Sequence, residues 1–171
     1  MLLEFEGKKP VIHQDAFVEN TAQIIGEVQI GKDSTIWFYT VIRGDINSIQ
    51  IGEKTNIQDL TLIHVTSKFL AKIGSKVTVG HRVVLHGCNI QDRCLVGMGS
   101  VVLDNAEVGP DCLVAAGSLI TPGFKSTPGT LIMGSPAKTV RELKEEEIKL
   151  IQTWENYVQY GQRYKKGIKI L

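Results

Sequence analysis

The sequence predicts an all-β solenoid of short stacked strands followed by one C-terminal α-helix. Three observations predict it. Isoleucine, valine or leucine returns about every six residues from Ile24 to Ile120, small side chains stand two places before these beats, and glycine often stands one place after. A fixed short period marks a repeat fold, in which each unit buries its apolar face only against the next. A period of six does not fit an α-helix, whose apolar stripe returns near 3.6 residues. It fits a coil with three flat sides, about 18 residues per coil, each side a short strand. Coils then stack at the inter-strand spacing of about 4.8 Å.

Taken in order, the beats are Ile24, Ile30, Ile36 and Ile42, then Ile51, Ile57 and Ile63, then Ile73, Val79 and Leu85, and last Ile90, Val96, Val102, Val108, Val114 and Ile120. Longer steps after Ile42 and Ile63 mark loops, the second around Thr66-Ser67-Lys68-Phe69, and a shorter one follows Leu85. With these allowed for, Ile24, Ile42, Ile63, Leu85, Val102 and Ile120 form one column. Ile36, Ile57, Val79, Val96 and Val114 form another. Gly31, Gly52, Gly74, Gly80, Gly97 and Gly109 are expected at corners with unusual backbone angles. Ala22, Ser34, Thr40, Thr55, Thr61, Ser100, Ala106 and Ser118 are expected to turn inward.

The three cysteines, Cys88, Cys94 and Cys112, share that inward phase. An odd count without a secretory leader argues against a disulfide framework. At this phase a thiol is a small core side chain rather than a nucleophile or metal ligand. The solenoid, with a short N-terminal lead, is assigned to residues 1–140; a Pro/Gly-rich stretch closes it. Residues 141–171 form the second unit, with a helix from about Lys144 to Lys165. Glu145, Glu146 and Glu147 favour its N-terminus through the helix dipole. Ile148, Ile151, Trp154, Tyr157 and Val158 give it one apolar face for packing on the solenoid or a neighbouring chain.

Nineteen basic against 18 acidic residues leave a net charge of +1, which offers nothing to nucleic acid or an anionic membrane surface. MLLEFEGKKP lacks the basic-then-apolar order of a signal peptide, and no apolar run approaches the ~18 residues of a membrane span. A soluble cytoplasmic protein is expected.

The columns also place the polar residues. One residue after the first column come Arg43, His64 and His86, one above another on successive coils and facing outward. Histidines on neighbouring rungs can converge on one ion. Two residues after the other column come Asp59 and His81, at a different corner. His81 precedes His86 by five residues, roughly 16 Å of extended chain. It can join His64 and His86 only from another chain, which cyclic symmetry supplies in a homotrimer with three equal interfacial sites. His13 has no partner in phase. Three histidines leave a fourth position for water, the catalytic form of zinc coordination, and zinc lowers the pKa of that water toward about 7. Asp45, Asn56, Gln58 and Asp59 are polar groups able to orient the water or the ligands. Arg43 can pair with a carboxylate or attract an anion.

The segments VIRGDINSIQIGEKTNIQDLTLIHV, VTVGHRVVLHGCNIQDRCLVGMGSVVLD and GSPAKTVREL resemble the γ-class carbonic anhydrases, and more narrowly their bacterial hexapeptide-repeat branch. The resemblance covers nearly the whole chain. It implies a left-handed parallel β-helix, although crossovers between parallel strands are generally right-handed. It further implies a homotrimer, zinc with iron or cobalt as alternatives, and reversible hydration of CO2 to bicarbonate. By position it implies His64, His81 and His86 as metal ligands, Arg43 paired with Asp45 and Asp59, Gln58 at the metal-bound water with Asn56 beside it, and Tyr157 reaching the site from the helix. Two departures concern proton transfer: Ile46 stands where the archetypal enzyme has a glutamate, and VTSKF replaces a long acidic loop carrying a second one. Two other classes stay open: a hexapeptide acyltransferase using acyl-CoA with one histidine as general base, and a weakly catalytic metal-binding trimer or thioester hydrolase.

Overall fold

The structure is a computed structural model that describes residues 1–167. It is a left-handed parallel β-helix with a C-terminal helical segment. The six-residue beats set its walls. Ile24, Ile42, Ile63, Leu85, Val102 and Ile120 pair in parallel register, rung on rung. Val18, Ile36, Ile57, Val79, Val96, Val114 and Ile132 build the second stack. Ile12, Ile30, Ile51, Ile73, Ile90 and Val108 build the third. Every beat from Ile24 to Ile120 is buried, so a single apolar column runs down the solenoid. No coil could bury this surface alone; each methyl meets its counterpart one rung away.

Two walls are joined into an 11-stranded sheet, because the strands Gln23–Ile30 and Val41–Ile51 run through a corner without a break. The first part of Val41–Ile51 pairs with Leu62–His64, and its last part with Ala71–Ile73. The third wall, built on the stack from Val18 to Ile132, is an eight-stranded sheet, which ends in the antiparallel hairpin Thr130–Gly134 and Ala137–Glu142. That hairpin runs across residue 140, so the third wall continues into the C-terminal segment.

The small inward column is buried throughout, and the hydroxyls of Ser34, Thr40, Thr55, Thr61 and Ser100 are satisfied by carbonyls of the next rung. Ser34 Oγ donates to the Gly52 carbonyl at 2.7 Å, and Thr55 Oγ1 to that of Gly74 at 2.7 Å. Cys88, Cys94 and Cys112 lie in this column. Burial pushes the Cys88 thiol up to about 12 and the Cys94 thiol higher still, so neither is a nucleophile near neutrality.

The six glycines do not carry the unusual backbone angles. None of them has a positive φ; the left-handed residues come two places later, at Asp33, Lys54, Lys76, Arg82, Gly99 and Asp111. The glycines instead sit where rungs touch. A Cβ on Gly31 would stand 2.7 Å from the Gly52 backbone, and one on Gly97 2.5 Å from the Ala116 nitrogen. The left-handed conformation costs a non-glycine residue about 1–2 kcal/mol. Inter-rung hydrogen bonds offset it, as from Lys54 N–H to the Lys32 carbonyl and from Lys76 N–H to that of Glu53, both 2.8 Å.

The single expected helix is two. Helix α1 covers Glu145–Ile151 and α2 covers Trp154–Gly167, with the break at Gln152 and Thr153. The reason is two separate anchors. Ile151 is buried with Leu113 and Leu131 on the third wall, whereas α2 lies over Phe17–Val18, Thr35–Ile36 and Asn56–Ile57 of the early coils. Gly161 lets α2 approach, since a Cβ there would stand 2.5 Å from Thr35 Cγ2. Of the expected apolar face, Trp154, Tyr157 and Val158 are half-buried, but Ile148 is exposed. In the first turn, Glu147 accepts from the Lys144 N–H at 2.8 Å and takes both oxygens to Arg141 at 2.7 and 2.8 Å. Residues 168–171, the end of the unit assigned to 141–171, lie outside the described residues. No described helix is long and apolar enough to cross a membrane.

Candidate metal centre

Arg43, His64 and His86 are aligned on three successive rungs of one wall, with Arg43 paired to His64 and His64 to His86. The strand pleat turns Ile42, Ile63 and Leu85 inward, so the next residue on each rung must point out. His64 Nδ1 and His86 Nε2 face each other at 3.1 Å. The outer nitrogen of each ring is held by a carboxylate: His64 Nε2 lies 3.1 Å from Asp45 Oδ1, and His86 Nδ1 lies 2.5 Å from Asp104 Oδ1. Arg43 donates to the second oxygen of Asp45. Partial burial raises the Asp45 carboxyl, but hydrogen bonds from Arg43 and His64 outweigh it and hold the group below the usual carboxylate range.

A second cluster forms at the corner after Asn56–Ile57. Asn56 and Gln58 are buried. Gln58 Nε2 donates to Asn56 Oδ1 at 3.1 Å, and Asn56 Nδ2 donates to Thr78 Oγ1 at 2.9 Å. Asp59 Oδ2 lies 2.8 Å from His81 Nδ1, and the His81 side chain is partly exposed. Tyr157 of α2 stands over this cluster. Half-burial raises its hydroxyl, the Asp59 charge adds to that, and Gln58 acts the other way.

The expected site residues therefore fall into two groups. Arg43, Asp45, His64 and His86 share one corner; Asn56, Gln58, Asp59, His81 and Tyr157 share another. Within the chain Asp59 pairs with His81 and not with Arg43, because they belong to different walls. Among the described residues, no three His, Cys, Asp or Glu side chains of one chain are set to hold a metal. His13 is apart from both corners and accepts from the Asp15 N–H at 3.1 Å. Ile46 is exposed, and the short loop after Val65 is closed by Thr66 and Phe69 without a carboxylate.

Sequence reading missed Asp104. Its signal was its phase: it stands two places after Val102, where earlier coils have Gly26, Gly44, Val65 and Gly87. A charge among residues this small was worth notice.

The donor set fits a metal ion. With a carboxylate accepting from the outer N–H of each ring, His64 Nδ1 and His86 Nε2 present lone pairs to one another across 3.1 Å. Either a proton shared between the two nitrogens or a metal cation bound to both satisfies that contact. Tetrahedral zinc with bonds of 2.0–2.1 Å separates its nitrogen ligands by about 3.3 Å, close to the spacing found. Carboxylates behind the rings are the usual support of such ligands.

Beside the imidazole pair runs an apolar stripe. Val41, Leu62, Val84, Val101 and Leu119 are in register on the outer surface of the same wall, two residues before the Arg43, His64 and His86 positions on three of those rungs. Their partly exposed methyls form a continuous strip rather than scattered surface contacts.

These features define the class: a hexapeptide-repeat β-helix with an imidazole pair at one corner and a histidine–carboxylate pair at another. The family model "Bacterial transferase hexapeptide (six repeats)" matches residues 9–44 and 87–122. The chain is 45% identical over 166 residues to a carbonic anhydrase of Geobacillus kaustophilus, covering 96% of this chain and 91% of that one. It is 44% identical over 168 residues to the mitochondrial gamma carbonic anhydrase 2 of Arabidopsis thaliana, covering 94% of this chain but 60% of that longer protein. The crystal structure of a hexapeptide transferase family protein from Anaplasma phagocytophilum superposes with a TM-score of 0.92 at 42% identity, covering 96% of this chain and 98% of the other. The chain belongs to the γ-class carbonic anhydrase-like family of hexapeptide-repeat proteins.

Proposed function

We propose that this chain is a metal-dependent enzyme that reversibly hydrates CO2 to bicarbonate, as a homotrimer with sites between subunits. The observation that carries this reading is the pair of imidazole nitrogens facing each other at 3.1 Å, each ring backed by an aspartate. His64 and His86 of one subunit, with His81 of the next, would hold the ion. Zinc suits these donors, and imidazole also accepts iron or cobalt. The apolar stripe from Val41 to Leu119 supports an interface on the wall that carries the pair. When bound, the metal supplies Lewis acidity that makes a water molecule an effective nucleophile near neutral pH.

The protein groups divide the remaining work. Asp45 holds the ring of His64, and Asp59 holds that of His81. Gln58 is fixed by Asn56, itself fixed by Thr78, so its amide can hold one oxygen of the reacting molecule without reorganising. The raised Tyr157 hydroxyl keeps its proton at neutral pH and is a hydrogen-bond donor beside Gln58 and Asp59. Arg43 neutralises Asp45 and draws anionic bicarbonate toward the corner. Without carboxylates at Ile46 and in the Val65–Phe69 loop, protons leave through buffer, so the rate rises with buffer concentration.

The test is CO2 hydration and bound metal measured on the metal-loaded protein and on His64→Ala. Wild type is expected to hold about one metal per chain with metal-dependent turnover, and the variant to lose both. Equal turnover in the two would reject the proposal. A second reading, an acyltransferase using acyl-CoA, draws on a groove of about 860 Å³ lined by Trp37, Phe38, Tyr157, Tyr160 and Tyr164, a volume within the range of ligand pockets. Acyl transfer that survives complete metal removal would favour it.

A further inference from the structure

We infer that Asp104 is a positioning residue for the metal centre, fixing His86 so that only its Nε2 is offered to the ion. This rests on the metal reading given above and adds a residue to it.

The geometry is specific. Asp104 lies on the rung above His86, since Leu85 pairs with Val102. Its own rung position stacks over Gly87, and its carboxylate leans back across that glycine to reach His86 Nδ1 at 2.5 Å. Gly87 makes the reach possible: a Cβ there would stand 3.0 Å from Asp104 Oδ1, and the residue has a φ of +53°. A side chain on Gly87 would therefore crowd the carboxylate off the ring. The backbone of Asp104 is held independently, its carbonyl accepting from the Gly123 N–H at 2.9 Å. The backbone that carries the carboxylate is thus placed by the coil and not by the histidine.

The consequence follows from the donor inventory. A carboxylate accepts, so in the neutral ring the Nδ1 it touches is favoured as the N–H and Nε2 as the lone pair. Nε2 is the atom aimed at His64. Without Asp104, the imidazole is free to take the other tautomer, and its ring is free to rotate. Asp45 performs the same task for His64, so each member of the pair is set by its own carboxylate from a different rung. Removing such a partner weakens metal binding roughly 10- to 100-fold.

Two measurements on Asp104→Ala and Asp104→Asn test this. The first is metal affinity by competition with a chelator of known strength, on metal-free trimer. Asp104→Ala is expected to bind 10- to 100-fold more weakly. Asp104→Asn, whose amide oxygen still accepts from Nδ1–H, is expected to lose less and to fold should the alanine variant fail. The second is the His86 tautomer, read from 15N–1H long-range correlations in the metal-free protein. Wild type is expected to show Nδ1–H, and Asp104→Ala a shift toward Nε2–H. Unchanged affinity in both variants, or Nε2–H in wild type, would overturn the inference while leaving the metal reading intact. Wild type that binds no metal yet shows Nδ1–H would reject the metal reading itself.

Discussion

The two corners are built by the same repeat and equipped for different tasks. At the first, two histidines in direct register are each backed by an aspartate, and Arg43 neutralises one of these. At the second, a single histidine is backed by Asp59 next to a buried amide chain of Thr78, Asn56 and Gln58, under a tyrosine from α2. One corner offers two ligands and charge; the other offers one ligand and fixed hydrogen-bonding groups. On the proposed reading, neither corner is a site alone. Each lacks what the other holds, and a rigid solenoid cannot fold one corner onto the other. The proposed trimer would join them by association of copies.

The sharpest way to break this comparison is to mix two inactive variants. His64→Ala damages the first corner and His81→Ala the second. Homotrimers of either are expected to lose metal and CO2 hydration. In trimers reassembled from an equal mixture, about three-quarters contain both chains and hold one intact site in three. About a quarter of wild-type metal and turnover should return. No recovery, in trimers shown by mass to be mixed, would mean that all ligands come from one chain.

A smaller effect is expected at the stripe beside the first corner. Leu62→Asp places a charge among Val41 and Val84, at an outward position that leaves the core column untouched. The trimer should dissociate at micromolar concentration while the far-UV circular dichroism of the coils is retained, as sedimentation velocity would reveal. A stable Leu62→Asp trimer would place the interface elsewhere.

The smallest effect concerns the helical segment that brings Tyr157 to the second corner. Arg141 at bidentate distance, and the Lys144 N–H, hold the Glu147 carboxyl down to about 2. A carboxyl depressed in the folded state contributes stability above its ordinary pKa, and that contribution is lost as pH falls through the folded value. Glu147→Gln should therefore lower Tm slightly at pH 7, with the gap closing between about pH 4.5 and pH 2. A gap that persists at pH 2 would assign the effect to packing and not to charge.

Much of this molecule was legible in its sequence. The six-residue beat identified the three walls, the rung-to-rung partners of Ile24 through Ile120, and the burial of Cys88, Cys94 and Cys112, because a repeat converts sequence distance into spatial register. The same ruler stacked His64 on His86 and put Asp59 beside His81. Other features were hidden. The glycines were read as corner residues, yet they serve close approach of rungs, while Asp33, Lys54 and Lys76 take the left-handed angles. Periodicity reports which positions are small but not why. The helix was read as one piece because its apolar spacing continues through Gln152 and Thr153; the two anchors that divide it lie on different coils.

By itself, then, the sequence determined the period, the walls and the alignment of polar residues along each corner, since these depend only on spacing. The tertiary structure decided which side chains touch. It turned Asp104 back over Gly87 to His86 and set the two imidazoles 3.1 Å apart. Those contacts depend on side-chain direction and on which residue of the neighbouring rung leaves room, and neither is encoded in the beat.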